Sequence, residues 1–259
     1  HEQWLGADIS VSGHEKAGIY RAHKWAICAD EQAPESVADY AHNIGAYWVA
    51  MGMSMNISVE DDESGAEQSW TWSGVTEDGD TLSLEALPMP NLPMPSVAAA
   101  IQAFALLGYS LPAKASELLQ GLSLAGRAET RHFHGVEVLL DVAHNPAASE
   151  LLAERLAANP PHGRLLAVVG LMDDKDRCGV LGPLIEQVSD WRVADIAGNA
   201  RAATADQLAQ DLRSLGAASS EFESVELALL SAVDEAGDYD RVLVMGSFFT
   251  VAQALEILQ

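Results

Sequence analysis

Along the second half of the chain, unbroken apolar runs alternate with stretches in which apolar residues recur every three or four positions. Runs such as Val138-Leu139-Leu140 or Leu165-Leu166-Ala167-Val168-Val169 are apolar at every position, as a strand covered on both faces must be. The pattern predicts strands over 136–143, 164–171, 191–196 and 241–246. Helical spacing lies between and after them, near 146–158, 177–188, 204–214, 223–236 and 250–258, and Thr204 with Gln207 supplies a capping box for the third of these. Strand and helix alternate in this way from 126 to 259, which predicts an α/β domain with a Rossmann-like, mostly parallel sheet and helices on both faces.

Residues 1–125 have a different texture. A helix is predicted from about 35 to 48, followed by short alternating strands near 53–59, 68–73 and 81–87, with Asp78-Gly79 as a hairpin turn. The acidic run Glu60 to Glu63 reads as a solvated loop rather than a metal site. Prolines 88, 90, 93 and 95 make a stiff connector, after which Ser96 is placed to cap a helix ending at Gly108, and a second helix is expected near 112–121. The expected organisation is therefore two domains, 1–125 and 126–259.

One junction concentrates the chemistry. The strand ending at Asp141 runs through Val142-Ala143-His144 into Asn145, a good N-cap, and Pro146, which suits a first helical position because its missing N–H costs nothing there. A helix N-terminus offers free N–H groups and the positive end of a dipole to an anion, with Asp141 placed to accept from a ribose hydroxyl and His144 to approach a phosphate. From spacing alone an ordinary strand-to-helix turn reads equally well. Open α/β sheets bind ligands beyond the carboxyl ends of their strands. Those ends carry Asp141 and His144, then Asp173 to Asp176, then Asn199 and Arg201, then Ser247.

Composition narrows the partners. With 38 acidic against 14 basic residues the net charge is −24 over 259 residues, which disfavours nucleic acid and anionic lipid. An anionic substrate must then be met by local arginines, helix ends or Mg²⁺. Cys28 and Cys178 are far apart and form no CxxC pattern, which suits a reducing compartment. No signal peptide and no membrane-length apolar run is visible, so a cytoplasmic location is expected. There is no G-x-G-x-x-G and no lysine preceded by glycine, so the dinucleotide fingerprint and the phosphate-loop motif are both missing and a dehydrogenase reading loses its support.

Taken in order, these residues resemble the bifunctional dihydrofolate synthase/folylpolyglutamate synthases, relatives of the Mur ligases. The resemblance rests on His1 with Trp4-Leu5-Gly6, Glu15-Lys16-Ala17-Gly18-Ile19, and Pro88 to Pro95 leading into an alanine-rich helix. It continues through Gly126-Arg127, Asp141-Val142-Ala143-His144-Asn145-Pro146, Asp174-Lys175-Asp176 and Gly246-Ser247-Phe248. It implies the C-terminal part of a Mur-ligase-type ATPase domain over 1–125 and the C-terminal α/β domain over 126–259, with the phosphate loop upstream of His1. Ala125, Glu129, Ser96, Phe249 and Asn199-Ala200-Arg201 depart from the family's usual residues and bear on substrate contacts more than on fold.

What the resemblance implies for roles is specific. His1 becomes a Mg²⁺ ligand and Lys16 a lysine that is carbamylated to give a carboxylate-like oxygen donor for Mg²⁺. Without the motif, Lys16 reads as a solvated helix lysine and His1 as a frayed terminus. Lys16, Arg127 and His144 form the expected catalytic set, with Arg127, Asp141, His144 and Asn145 holding ATP. Lys175, Asp176 and Ser247 are substrate candidates, helix-end solvation being an equally good account of each. His132 and His134 share a face if both lie on a strand, though a solvated edge explains them better than a metal.

The implied reaction is ATP-dependent addition of L-glutamate to dihydropteroate and to folates through an acyl phosphate, by a monomer whose partners are these small molecules, with no nucleic acid and no membrane. On this expectation the 259 residues alone bind ATP weakly and turn over nothing. The alternatives are a Mur-type cell-wall amino-acid ligase and a non-catalytic nucleotide- or folate-binding domain.

Overall fold

In the computed structural model, which describes residues 9–61, 68–109 and 115–259, the chain divides into the units His1–Ser123 and Leu124–Gln259. In the first unit, α1 (Ile9–Ala17) is followed by β1 (Trp25–Cys28), α2 (Glu35–Asn43) and β2 (Tyr47–Ala50), with β1 and β2 paired in parallel. Helix α2 makes the crossover such a pair requires and buries Val37 and Ala41. Three antiparallel strands come next, β3 (Asn56–Asp61), β4 (Gln68–Val75) and β5 (Thr81–Pro88). Alternate residues of β4 point inward, so Trp70 and Trp72 are fully buried. The helix α3 (Met94–Leu106) covers them with Val97, Ala98, Ile101 and Ala105, and α4 (Ala115–Gln120) adds Leu119. Buried Gln102 locks α3 to the sheet: its amide accepts from Val75 N–H at 3.2 Å and donates to Val75 C=O at 2.6 Å, as a neighbouring strand would. Only glycine fits at position 74, because a Cβ there would overlap that amide and the Trp72 ring.

The second unit opens with the antiparallel hairpin β6 (Glu129–Phe133) and β7 (Val136–Asp141). It then alternates through α5 (Pro146–Ala158), β8 (Leu165–Val169), α6 (Arg177–Leu181), β9 (Asp190–Ala194), α7 (Ala205–Ser214), β10 (Ser219–Phe222), α8 (Val225–Glu235), β11 (Arg241–Met245) and α9 (Phe248–Ile257). The six strands lie in the order β10-β9-β8-β11-β7-β6, parallel apart from β6. Helices α5 to α7 cover one face with Leu152, Leu156, Val180, Leu208 and Leu212. The other face is covered by α8 and α9 through Leu229, Val251 and Ala254. This is the α/β architecture the apolar runs predicted. Strand β11 enters between β7 and β8, so the chain reverses its direction of sheet growth there, and α/β sheets generally bind ligands beyond the carboxyl ends of strands at such a reversal.

Several elements differ from expectation. The helix predicted over 35–48 ends at Asn43, Gly45 takes a φ of +70°, and Tyr47–Ala50 is a strand. Helix α3 starts at Met94 behind Pro93, so Ser96 lies inside the first turn and caps nothing. The helix predicted over 177–188 breaks after Leu181 into one 3₁₀ turn, Gly182–Leu184, because Pro183 has no N–H to continue an α-helix. In the acidic run, Glu60 and Asp61 end β3, while residues 62 and 63 lie outside the described residues. His132 and His134 do not share a strand face: β6 stops at Phe133, and His134 turns the hairpin at φ +51° with its ring stacked on Phe133. Among the described residues no helix is long and apolar enough to cross a membrane.

Candidate functional site

The segment Leu124–Ala128 is clamped onto the end of β7. Gly126 takes φ +68°, and a Cβ there would stand 2.9 Å from Cγ1 of both Val142 and Val251, so the loop can lie this close to the sheet only with glycine. Its carbonyl accepts from Val142 N–H at 2.8 Å, and its own N–H donates to Glu129 Oε2 at 2.9 Å. Burial raises the Glu129 carboxyl, but the Gly126 N–H and the Arg131 guanidinium outweigh it and hold the group below its ordinary value. Ala128 is also left-handed, at φ +47°, a conformation that costs a non-glycine residue on the order of 1 kcal/mol unless its surroundings fix it.

Asp141 does the fixing. Its Oδ2 accepts from Ala128 N–H at 2.9 Å and its Oδ1 from Ala143 N–H at 2.8 Å, which joins the loop to the start of the next connection. Burial pushes the Asp141 carboxyl above its ordinary value, against these two N–H bonds and the positive charges of Arg127 and Arg155. Arg155 is half-buried on α5, and burial lowers it while Asp141 opposes that. Asn145 caps α5 as expected, its side chain accepting from Ala148 N–H at 2.9 Å. That oxygen is occupied by the helix.

Between these fixed points Arg127 and His144, both half-buried, meet at one aromatic ring. The Arg127 guanidinium carbon lies 5.6 Å from the centroid of the Phe248 ring. His144 approaches the same ring at 6.0 Å between centroids, and its Nδ1 is 2.9 Å from Val142 C=O, which leaves Nε2 as the outward nitrogen. Phe248 is the first residue of α9 and is 58% exposed. Its backbone is anchored by the preceding Gly246-Ser247: Gly246 has φ +114° and passes so near Gly170 that no side chain would fit. Ser247 is buried, and its Oγ accepts from Thr250 N–H at 3.0 Å. Ser247, a substrate candidate for which a helix-end role reads equally well, uses its hydroxyl in the cap of α9.

Along the rim at β8 the charges are paired with one another. Asp176 caps the short α6, accepting from Gly179 N–H at 2.9 Å. Lys175 Nζ is 3.9 Å from Asp174, which Arg201 reaches at 3.4 Å. Arg177 is held by Asp173 and Asp211, each at 2.6 Å. The first unit holds Lys16, exposed near the end of α1; His1 lies outside the described residues. A concavity of about 420 Å³ at the carboxyl ends of β1 and β2 is lined by Asp30, Glu31, Glu35, Trp48 and Met51. Its charge has the wrong sign for a nucleotide. Among the described residues no group of three or more His, Cys, Asp and Glu is arranged to hold a metal.

The structure thus brings Arg127, Asp141, His144 and Asn145 together, and adds Phe248, which residue-type reasoning passed over because an apolar ring carries no polar signature. Its signal in the sequence is positional: an aromatic directly after Gly246-Ser247 at the end of the last predicted strand.

Comparison with known proteins shows what the chain as a whole is similar to. Residues 126–248 match the family described as Mur ligase, glutamate ligase domain. The dihydrofolate synthase/folylpolyglutamate synthase of Escherichia coli K12 is 39% identical over 259 residues, covering 100% of this chain and 57% of the relative. Its counterpart from Haemophilus influenzae is 28% identical over 283 residues, covering 100% of this chain and 61% of the relative. Among solved structures, E. coli FolC in complex with DHPP and ADP superposes with a TM-score of 0.84 at 39% identity, over 99% of this chain and 58% of that one. A bifunctional folylpolyglutamate synthase/dihydrofolate synthase with Mn, AMPPNP and L-glutamate bound gives 0.82 at 35% identity, over 98% and 58%. The chain spans less than two thirds of the length of these relatives.

Proposed function

We propose, from the premise that this chain is homologous throughout to the dihydrofolate synthase/folylpolyglutamate synthases and carries the Mur ligase glutamate ligase domain at residues 126–248, that it acts in an ATP-dependent glutamate ligase. Residues 1–125 contribute to the ATPase domain, and 126–259 form the C-terminal domain, which carries Arg127, Asp141 and His144. The reaction is transfer of the γ-phosphoryl of ATP to a carboxylate of dihydropteroate or of a folate's glutamate tail, followed by attack of the L-glutamate amine on the acyl phosphate. Oxide is a poor leaving group and phosphate a good one, which is why the carboxylate must first be activated.

The observation that carries this reading is an un-neutralised arginine in a strongly acidic chain. Among the described residues no carboxylate comes within ion-pair distance of Arg127, and its planar fork of donors can meet phosphate oxygens directly. His144 presents Nε2 beside it, and Asp141, whose two oxygens each hold one N–H, keeps lone pairs for a ribose hydroxyl. Asn145 contributes through the α5 terminus it caps. Mg²⁺ would stabilise the charge on the transferring phosphoryl. Of the pair proposed to hold it, His1 lies outside the described residues and Lys16 would offer oxygen to the metal only once carbamylated. The partners are small molecules, the location cytoplasmic and the protein a monomer.

The test is an assay of glutamate-dependent ADP release by the full-length protein, offered dihydropteroate, folates and UDP-muramoyl substrates in parallel. Release with the pterin-containing acceptors alone is the expected result. Turnover of the UDP-sugar instead would transfer the protein to cell-wall synthesis, and no turnover of any acceptor would leave a binding domain.

A further inference from the structure

We infer that Phe248 is a positioning residue: its ring is the shelf that aims the Arg127 guanidinium, and the inference rests on Arg127 facing phosphate as proposed above. A phosphate-binding arginine has two conflicting needs. It must be held in one direction, because a free side chain loses rotamer entropy on binding, and it must keep its charge and donors available. A carboxylate partner meets the first need and defeats the second. An aromatic face meets both, since the ring quadrupole attracts the cation within about 6 Å yet accepts none of the in-plane N–H bonds.

Three features match this device. The guanidinium carbon lies 5.6 Å from the Phe248 centroid. Both ends of the contact are rigid: Arg127 sits between left-handed Gly126 and Ala128, the latter tied to Asp141, and Phe248 starts a helix capped by buried Ser247. The ring is 58% exposed although ordinary packing would bury a side chain of this size, and its neighbours are Arg127 and His144. Arg127 is itself only half-buried, so contact with the ring does not enclose it.

The experiment compares Phe248→Leu, which keeps apolar volume without a π face, with Phe248→Tyr, which keeps the face, in the full-length protein. Two quantities are read: the Nε–Hε proton shift of Arg127 by NMR without nucleotide, and KM for ATP against kcat. Phe248→Leu should move that proton downfield as the ring current is lost and raise KM for ATP by about two- to fivefold, the worth of an exposed cation–π contact, with kcat changed less. Phe248→Tyr should retain the parent values. An Arg127 shift that ignores Phe248→Leu overturns the inference, and so does a moved shift with an unaltered KM. If Arg127→Ala itself leaves ATP binding intact, the phosphate assignment fails, and the NMR shift distinguishes that failure from loss of the contact.

Discussion

Arg127 and Arg177 stand on the same rim of one sheet and are treated in opposite ways. Arg177 has two carboxylates, Asp173 and Asp211, each 2.6 Å away, and their hydrogen bonds raise its already high pKa. Arg127 has none at that range among the described residues and leans on a benzene ring. In a chain of net charge −24, carboxylates are abundant, so an arginine without one reflects the arrangement of its surroundings rather than scarcity. Where cation and anion cancel, the group ties elements together: Arg177 connects the start of α6 to α7. Where they do not, the backbone beneath is fixed by other means and the charge is kept for something that arrives.

The sharpest test exchanges the two. Arg127→Ala should lower kcat/KM for ATP by roughly 10²–10³, as loss of one preorganised donor to a developing anion does, with stability nearly unchanged. Arg177→Ala should do the reverse, costing about 1–2 kcal/mol in chemical denaturation and leaving turnover per folded molecule near the parent value. Equal kinetic effects would erase the distinction drawn between them.

Gly126→Ala probes the backbone that holds Arg127. The added Cβ meets Val142 and Val251 at 2.9 Å in a left-handed conformation, so about 1–3 kcal/mol of stability should be lost along with nucleotide affinity. Retained affinity in a destabilised protein would mean that Arg127 does not depend on its loop.

The smallest effect is that of Asp141 on acid stability. Burial holds its carboxyl above the ordinary 3.8, so the folded chain binds this proton more tightly than the unfolded chain. The corresponding stability is complete below the ordinary value and is lost as pH rises through the raised one. Subtracting the melting profile of Asp141→Asn from that of the parent across the acid range should reveal this decline. A difference that grows with rising pH there would show that the two N–H bonds win over burial.

The sequence was most legible where burial is two-sided. Strands β7, β8 and β11 are apolar at nearly every position, and that cannot be mistaken for a solvated helix face. Edge strands β6, Glu-Thr-Arg-His-Phe, and β10, Ser-Ser-Glu-Phe, have one row of neighbours and little apolar surface, so they left a weaker signal or none. The helix expected over 35–48 takes in Tyr47 and Trp48, the first half of strand β2, because they continue its apolar spacing; the break is the left-handed Gly45, whose meaning depends on the paired strand beyond it. At the site, Asp141, His144 and Asn145 belong to one local motif and could be read together. The meeting of Arg127 with Phe248 is made by the sheet order, which sets β11 beside β7, and no local pattern encodes that.

The same insertion of β11 has a cost in time. As the polypeptide leaves the ribosome, β6 to β10 are complete while the seat between β7 and β8 is still vacant, and the two partial sheets have no shared hydrogen-bonded seam until residues 241–245 arrive. Until then two apolar strand edges stay open, and a stalled nascent chain halted before Arg241 should be a client for the chaperones that shield such edges.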